Sequence, residues 1–259
     1  MPATDHPDAR SDILTFRCNI CGQTCVKALA ELGREIPSCA KCGSTVRWRV
    51  IIHLLSTELF GQSLLLQDFS TRRDLRGVGL SDWEGYAVQL AQKFDYHNTF
   101  YNTEPSLDII AIEPSMEASF DFIISSDVFE HVSPAVSLAF INTRRLLKPG
   151  GLLILTVPYT LREKTLEHFP ELYQYKMVKR DGKLVLHNIT RDGREQTFEN
   201  LVFHGGIGST LEMRFFSKSS LVAELANAGF REIRIRDENC LEHGIYWGMN
   251  RSLPITARR

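Results

Sequence analysis

With 259 residues, 43% hydrophobic and 24% charged, the chain has enough apolar material for one large core plus a small appendage, which excludes a disordered or low-complexity protein. Thirty Lys and Arg against 31 Asp and Glu leave no net charge with which to seek nucleic acid or a membrane surface. No apolar run approaches the ~20 residues that span a bilayer and the opening MPATDHPDARSD is too polar for a secretion signal, so a cytoplasmic protein with no membrane contact is expected.

Residues 1 to about 14 read as a loose polar terminus. Two Cys-x2-Cys pairs follow, Cys18 with Cys21 and Cys39 with Cys42, each trailed by a glycine that lets backbone amides turn toward the thiolates. Four thiolates at this separation predict a closed tetrahedral zinc ribbon whose role is structural. Cys25 and Cys240 have no partner by spacing and read as small core residues, and no second metal site is apparent. Residues 1–62 carry seven basic side chains against six acidic ones, so the ribbon lacks the basic stripe of a phosphate reader. Arg47 and Arg49 with Trp48 are read as a solvated helix face with one aromatic packed inward, and the ribbon as a scaffold or substrate gate.

Ser44 to Gly61 predicts a helix, N-capped by Ser44, with Val46, Val50, Ile51, Leu54, Leu55 and Leu59 forming one apolar stripe. Ser63–Gln67 reads as the first strand of a main domain and Gly77–Leu80 as a short second strand. Ser81-Asp82-Trp83-Glu84 reads as a capping box opening a helix to Ala91 or Phe94. Phe94–Asn102 is β-prone and is expected to include a third strand. Phe120–Ser126 is an apolar run ending on small polar residues, as a buried parallel strand does. Ser133-Pro134 then predicts an N-cap and first-turn proline, Lys148-Pro149-Gly150-Gly151 a sharp stop, and Leu152–Val157 a second apolar strand. Strand, helix and strand of these lengths imply a right-handed parallel crossover.

Thr160 to Met213 is too long for a simple link and is read as an insertion. Turn signals at Asp181-Gly182 and Asp192-Gly193 flank β-prone Lys183–His187, predicting a β-hairpin-bearing lid, and His204-Gly205-Gly206-Ile207-Gly208 predicts a flexible loop. Ser217 is the expected N-cap of a last helix carrying Leu221, Leu225 and Ala228, and Phe230–Arg236 with Leu253–Arg258 are expected to close the sheet as an antiparallel pair.

DFIISSDVFEHV, then LLKPGG, then an apolar strand ending in Val157-Pro158, resembles the class I S-adenosylmethionine-dependent methyltransferases in their small-molecule branch. The resemblance covers about residues 63–259. It implies an α/β fold: a doubly wound, Rossmann-like, seven-stranded sheet with an N-terminal zinc-ribbon appendage (1–62) and a lid insertion (160–213) in the 63–259 domain. It also implies S-adenosylmethionine as cofactor beside structural zinc. The cofactor turn falls on Gln67, Asp68 and Phe69, with no glycine before Gly77. Asp82 is the candidate for the ribose hydroxyls, one residue later than usual, or is simply a first-turn acid favoured by the helix dipole; Trp83 lies beside it. Asp108 and Ile109 are candidates for the adenine, or Asp108 is a plain turn aspartate. Ser125, Ser126 and Asp127 are expected to face the methionine and sulfonium part, beyond the carboxyl end of their strand.

Methyl transfer needs an acceptor held in line and, for some acceptors, a base. His168 and His204 in the insertion, then His131, are the candidate bases, each with a structural alternative; Glu130 is a candidate to orient a neighbour and Tyr159 to line the acceptor pocket. A small-molecule acceptor of sugar or natural-product type is expected. The rival readings are an RNA or protein methyltransferase gripping its substrate with the ribbon, and a non-catalytic binding protein with a degenerate fold. The oligomeric state is not written in the sequence.

Overall fold

Along Phe120–Ser126, Phe122 and Ile124 point to one side and Ile123 to the other, and Leu152 and Ile154 alternate with Leu153 and Leu155 in the same way. A strand that is apolar on both faces must be covered on both. The computed structural model, which describes residues 12–180, 182–204, 210–248 and 252–259, covers it with helices on each side. The N-terminal residues 1–11, Asp181 and the expected glycine loop at 205–209 lie outside the described residues.

In chain order, β1 (Ile13–Arg17) and β2 (Thr24–Ala28) form an antiparallel pair, and α1 (Val46–Phe60) follows the second cysteine pair. The main sheet draws on β3 (Arg72–Leu80), α2 (Glu84–Lys93), β4 (Phe94–Thr99), β5 (Phe120–Ser126), α3 (Val136–Leu146) and β6 (Leu147–Thr156). Then come β7 (Tyr159–Thr160), β8 (Leu166–Glu167), β9 (Gln174–Arg180), β10 (Lys183–Ile189), β11 (Glu195–Phe198), β12 (Phe203–His204), β13 (Thr210–Leu211) and β14 (Arg214–Ser217). The chain closes with α4 (Lys218–Asn227), β15 (Arg231–Ile235) and β16 (Ile255–Arg258).

Among the described residues the central sheet has six strands rather than the seven expected, in the order β15-β16-β6-β5-β3-β4. β6, β5, β3 and β4 run parallel, and β16 and β15 return antiparallel as anticipated. α1 and α2 contribute to the core on one face, α3 and α4 to that on the other. Each fully buried Leu or Ile in these layers is worth roughly 1.5–3 kcal/mol. Within 159–217, β9, β10 and β11 make a small antiparallel sheet, with Lys183 opposite Arg180 and Ile189 opposite Glu195, so both hairpins were read correctly from their turns. Among the described residues no helix is long and apolar enough to cross a membrane.

Several local expectations are corrected. Ser63–Gln67 is not a strand; Leu66–Asp68 is a single 3-10 turn. The place beside β5 belongs to β3, whose residues Gly77–Leu80 had been assigned to a second strand, and the following β4 is the sheet edge. Gly77 belongs there because a Cβ on it would meet the Phe122 ring at 2.2 Å, so that ring fills the space a side chain would need. The Ser81–Glu84 capping box does not form: α2 starts at Glu84 from Trp83 with no side-chain cap. Thr45, not Ser44, caps α1, and α3 begins at Val136, leaving Ser133 and Pro134 outside it. α3 ends at Leu146, and Lys148-Pro149-Gly150-Gly151 forms the entry to β6. Ser217 does cap α4, accepting from the Ser220 amide.

Candidate functional site

The two cysteine pairs converge. Gly22 N–H donates to Cys18 O and Gly43 N–H to Cys39 O, each at 2.8 Å, and both glycines adopt positive φ, so the knuckles are built alike. The four Sγ atoms lie within 4.8 Å of one another, with Cys18 and Cys42 at 3.8 Å and Cys21 and Cys39 at 3.5 Å. Four thiolates about 2.3 Å from one ion would stand about 3.8 Å apart, so the donor set fits tetrahedral zinc. Arg49, predicted to be solvated, is instead fully buried beneath this cluster. Its guanidinium donates to Ser44 O, Ser38 Oγ and Gly244 O, while the Ser44 hydroxyl lies 3.2 Å from Cys18 Sγ. A buried cation there offsets the thiolates' excess negative charge. Phe16, Cys18 and Cys39 belong to the same buried cluster as Phe122 and Leu152, so the cysteine module is part of the sheet's packing.

A cavity of about 990 Å³ opens at the carboxyl ends of β3 and β5. Chain direction reverses there: β3 leads outward to β4 on one side, and β5 to β6 on the other, which opens a crevice between the two strand ends. Ser81 and Asp127, the residues that leave these strands, both hold left-handed φ, 56° and 55°. Non-glycine residues rarely keep that conformation unless their surroundings impose it.

For Asp127 the surroundings are clear. Arg34 grips its carboxylate with both terminal nitrogens at 2.9 and 2.6 Å, Thr156 Oγ1 donates to it at 2.9 Å, and Arg47 Nε lies 3.2 Å away. Burial pushes the Asp127 carboxyl up, but Arg34 and Arg47 outweigh it and hold it below the ordinary range. Arg47 also donates to Ser126 Oγ and pairs with Glu35, so neither it nor Arg34 is a solvated ribbon charge. The Trp48 and Trp83 rings stack at 4.1 Å and 10°, joining α1 to the turn after β3. Four contributions of the N-terminal segment to the cavity, Arg34, Glu35, Arg47 and Trp48, have no signal in the sequence, because nothing in their local pattern says which way they face.

The expected cofactor residues separate into two groups. Trp83, Asp108, Ile109, Ser126 and Asp127 line the cavity, and Asp108 is at the same time a turn aspartate, accepting from Ile110 N at 3.0 Å. Gln67 and Asp68 are exposed and Phe69 is buried in the core; none of the three lines the cavity, because the first strand was placed one element too early. Ser125 is buried under the sheet end. Asp82 follows β3 rather than a second strand. It is buried, accepts from Tyr96 Oη, and burial raises its carboxyl to about 7 against the opposing pull of that hydroxyl. Phe100, Tyr101 and Asn102, just beyond β4, complete that wall.

The three candidate histidines come together. His168 Nε2 lies 2.8 Å from Glu212 Oε1 and His204 Nε2 2.9 Å from Glu212 Oε2, while His204 Nδ1 lies 3.1 Å from His131 Nε2. His131 and His204 line the cavity and His168 stands behind them; His187 pairs with Glu195 on the small sheet. Glu130 is fully buried beside the pair, and burial, aided by the Asp127 charge, holds its carboxyl well above the ordinary range. Burial lowers His131. Arg214 fixes the arrangement by donating to Phe129 O, Val132 O and Glu167, so β14 brings the returning chain against the segment after β5. Tyr159 does not line the cavity; it is buried and its hydroxyl accepts from Leu253 N.

Residues 80–155 match the family described as Methyltransferase domain. The malonyl-[acyl-carrier protein] O-methyltransferase of Geobacter sulfurreducens is 26% identical over 130 residues, 50% of this chain, and the match spans 38% of that relative's length. Among solved structures, the sugar N-methyltransferase KedS8 of Streptoalloteichus is 12% identical and covers 85% of this chain and 88% of its own at a TM-score of 0.45. An S-adenosylmethionine-dependent methyltransferase of Clostridium acetobutylicum is 14% identical, covering 82% and 98% at a TM-score of 0.41.

Proposed function

Because residues 80–155 belong to the methyltransferase-domain family, we propose that this chain transfers a methyl group from S-adenosylmethionine to a small-molecule acceptor held in the cavity between the ends of β3 and β5. The observation that carries the reading is the position of that cavity, at the switch point between the carboxyl ends of β3 and β5, with the matched segment starting at Leu80, the last residue of β3, and containing β5. Its volume of about 990 Å³ has room for the cofactor and a small acceptor together.

Bound there, S-adenosylmethionine supplies an electrophilic methyl group on a sulfonium. The chain's own residues bind and orient. Arg34, Arg47, Glu35 and Asp127 set both signs of charge at one end of the cavity, which suits an amino acid's ammonium and carboxylate. Trp83, Asp108 and Ile109 offer an aromatic face, a carboxylate and an apolar side chain to the adenosine part, and Asn102 a polar group beyond β4. His131 and His204 mark the acceptor end, where a polar group is needed to meet the reacting atom, and His168 holds Glu212 behind them. In this reading the 160–213 segment is the lid and carries acceptor specificity, since Tyr175, His204, Leu211 and Met213 close one side of the cavity. Residues 1–62 form a zinc-bearing module that completes the cofactor pocket, and 63–259 the catalytic domain.

Isothermal titration of the full chain with S-adenosylmethionine and S-adenosylhomocysteine tests the function. One site at micromolar affinity is expected, weakened at least tenfold in Asp108→Ala. No heat at millimolar cofactor would remove the enzymatic reading and leave a binding protein of this fold.

A further inference from the structure

His131 Nδ1 lies 2.9 Å from the carbonyl oxygen of Leu211, which only accepts, so the proton of the neutral ring is on Nδ1 and the Nε2 lone pair is free to bind. His204 Nε2 faces the Glu212 carboxylate at 2.9 Å. His204 Nδ1 and His131 Nε2 meet at 3.1 Å. The Glu130 carboxylate stands 3.7 Å from His131 Nε2 and 4.0 Å from His204 Nδ1, and both its oxygens are buried without a hydrogen-bond donor. Three ligand atoms converging on one point, one of them from a buried carboxyl with no hydrogen bond among the described residues, form a set that a cation between them would satisfy.

We propose that Glu130, His131 and His204 hold a divalent transition-metal ion at the acceptor end of the cavity, a site separate from the four cysteines. Ligand atoms about 2.1 Å from one ion would be about 3.4 Å apart in a tetrahedron, and the observed spacings of 3.1, 3.7 and 4.0 Å bracket that value. Two imidazoles and one carboxylate select zinc, manganese, cobalt or iron over magnesium or calcium. The outer shell is in place: the Leu211 carbonyl orients His131, and Glu212, itself held by His168, orients His204. With three protein ligands the ion keeps positions open, and the two histidines line the cavity, so those positions take an oxygen of the acceptor, a hydroxyl or carboxylate. That last role rests on the methyltransferase reading; the metal site does not.

The test uses the full chain with zinc in its cysteine site. Manganese added to it is followed by the loss of the free-ion electron paramagnetic resonance signal, since a four-thiolate site disfavours this ion. Uptake of about one manganese per chain is expected, weakened at least tenfold in Glu130→Gln and in His204→Ala, with circular dichroism as the folding control. Zinc analysis after dialysis should give about two ions per chain, falling to about one in either variant. A single zinc with no manganese uptake, or uptake that both variants leave unchanged, would overturn the site and leave the two histidines sharing a proton. Cofactor titration of the unsubstituted chain separates the two ideas: no second metal ion with cofactor binding present refutes the site alone, and no cofactor binding with the second metal ion taken up refutes the methyltransferase reading alone.

Discussion

The cysteine cluster and the cavity are built on opposite plans. The first takes its four groups from two short knuckles of identical construction within 25 residues of chain, so its geometry follows from local spacing. The second is assembled from separate stretches, around Arg34 to Trp48, Leu80 to Trp83, Thr99 to Ile110, Ser126 to Ser133, Pro158, Tyr175, and His204 with Thr210 to Met213, none of which is a site by itself. They are coupled, because the cysteine module carries Arg34 and α1 carries Arg47 and Trp48 into the cavity wall. The lesson is that a cysteine cluster can be an indirect part of a cavity wall when its module shares a core with the sheet.

The most severe way to break that coupling is Cys39→Ser. Metal is expected to be lost and, with Phe16 and Cys18 in the shared core, cooperative thermal unfolding as well, together with cofactor binding. A variant that keeps its melting transition and binds cofactor normally would make the two regions independent. Next in size is Asp127→Asn, which leaves Arg34 and Arg47 without their carboxylate where both are largely buried. A loss of about 3 kcal/mol in denaturant unfolding is expected, and a loss below about 1 kcal/mol would mean that the arginines find other partners. The smallest effect is a pH dependence. Asp82 has its folded pKa raised to about 7, so its contribution to stability is complete below the unfolded value near 4 and disappears as pH rises through about 7. Asp82→Asn should therefore flatten the fall in melting temperature over that window. An unchanged slope would assign the dependence to another group.

Legibility followed the range of the interactions involved. β5, β6, the closing antiparallel pair and the hairpins at 174–198 came from runs and turns that are complete within a few residues. The error at the front of the domain had a specific cause. Gly77 and Gly79 looked like a short strand, whereas they are the inner end of β3, small because the Phe122 ring and Tyr96 hydroxyl occupy the space that their side chains would need. That substitution of a neighbour's ring for a strand's own side chain is why the turn after the strand beside β5 is Ser81–Trp83 and not Gln67–Phe69. The contact of His131 with His204, the link of His168 to His204 through Glu212, and the burial of Glu130 beside the pair had no signal in spacing, since 37 residues separate His131 from His168 and 36 separate His168 from His204.

By itself the sequence determined the cysteine site, the apolar strand-helix-strand unit and the helix stripe of α1, because each depends on periodicity or spacing that the backbone converts directly into geometry. Only the tertiary structure decided which strand lies beside β5, that Arg34, Arg47 and Arg49 turn inward, and that Glu130, His131 and His204 meet. Those outcomes are set by which faces pack together once the sheet and its helices exclude water, and a buried charge takes whatever partner the packing brings within reach.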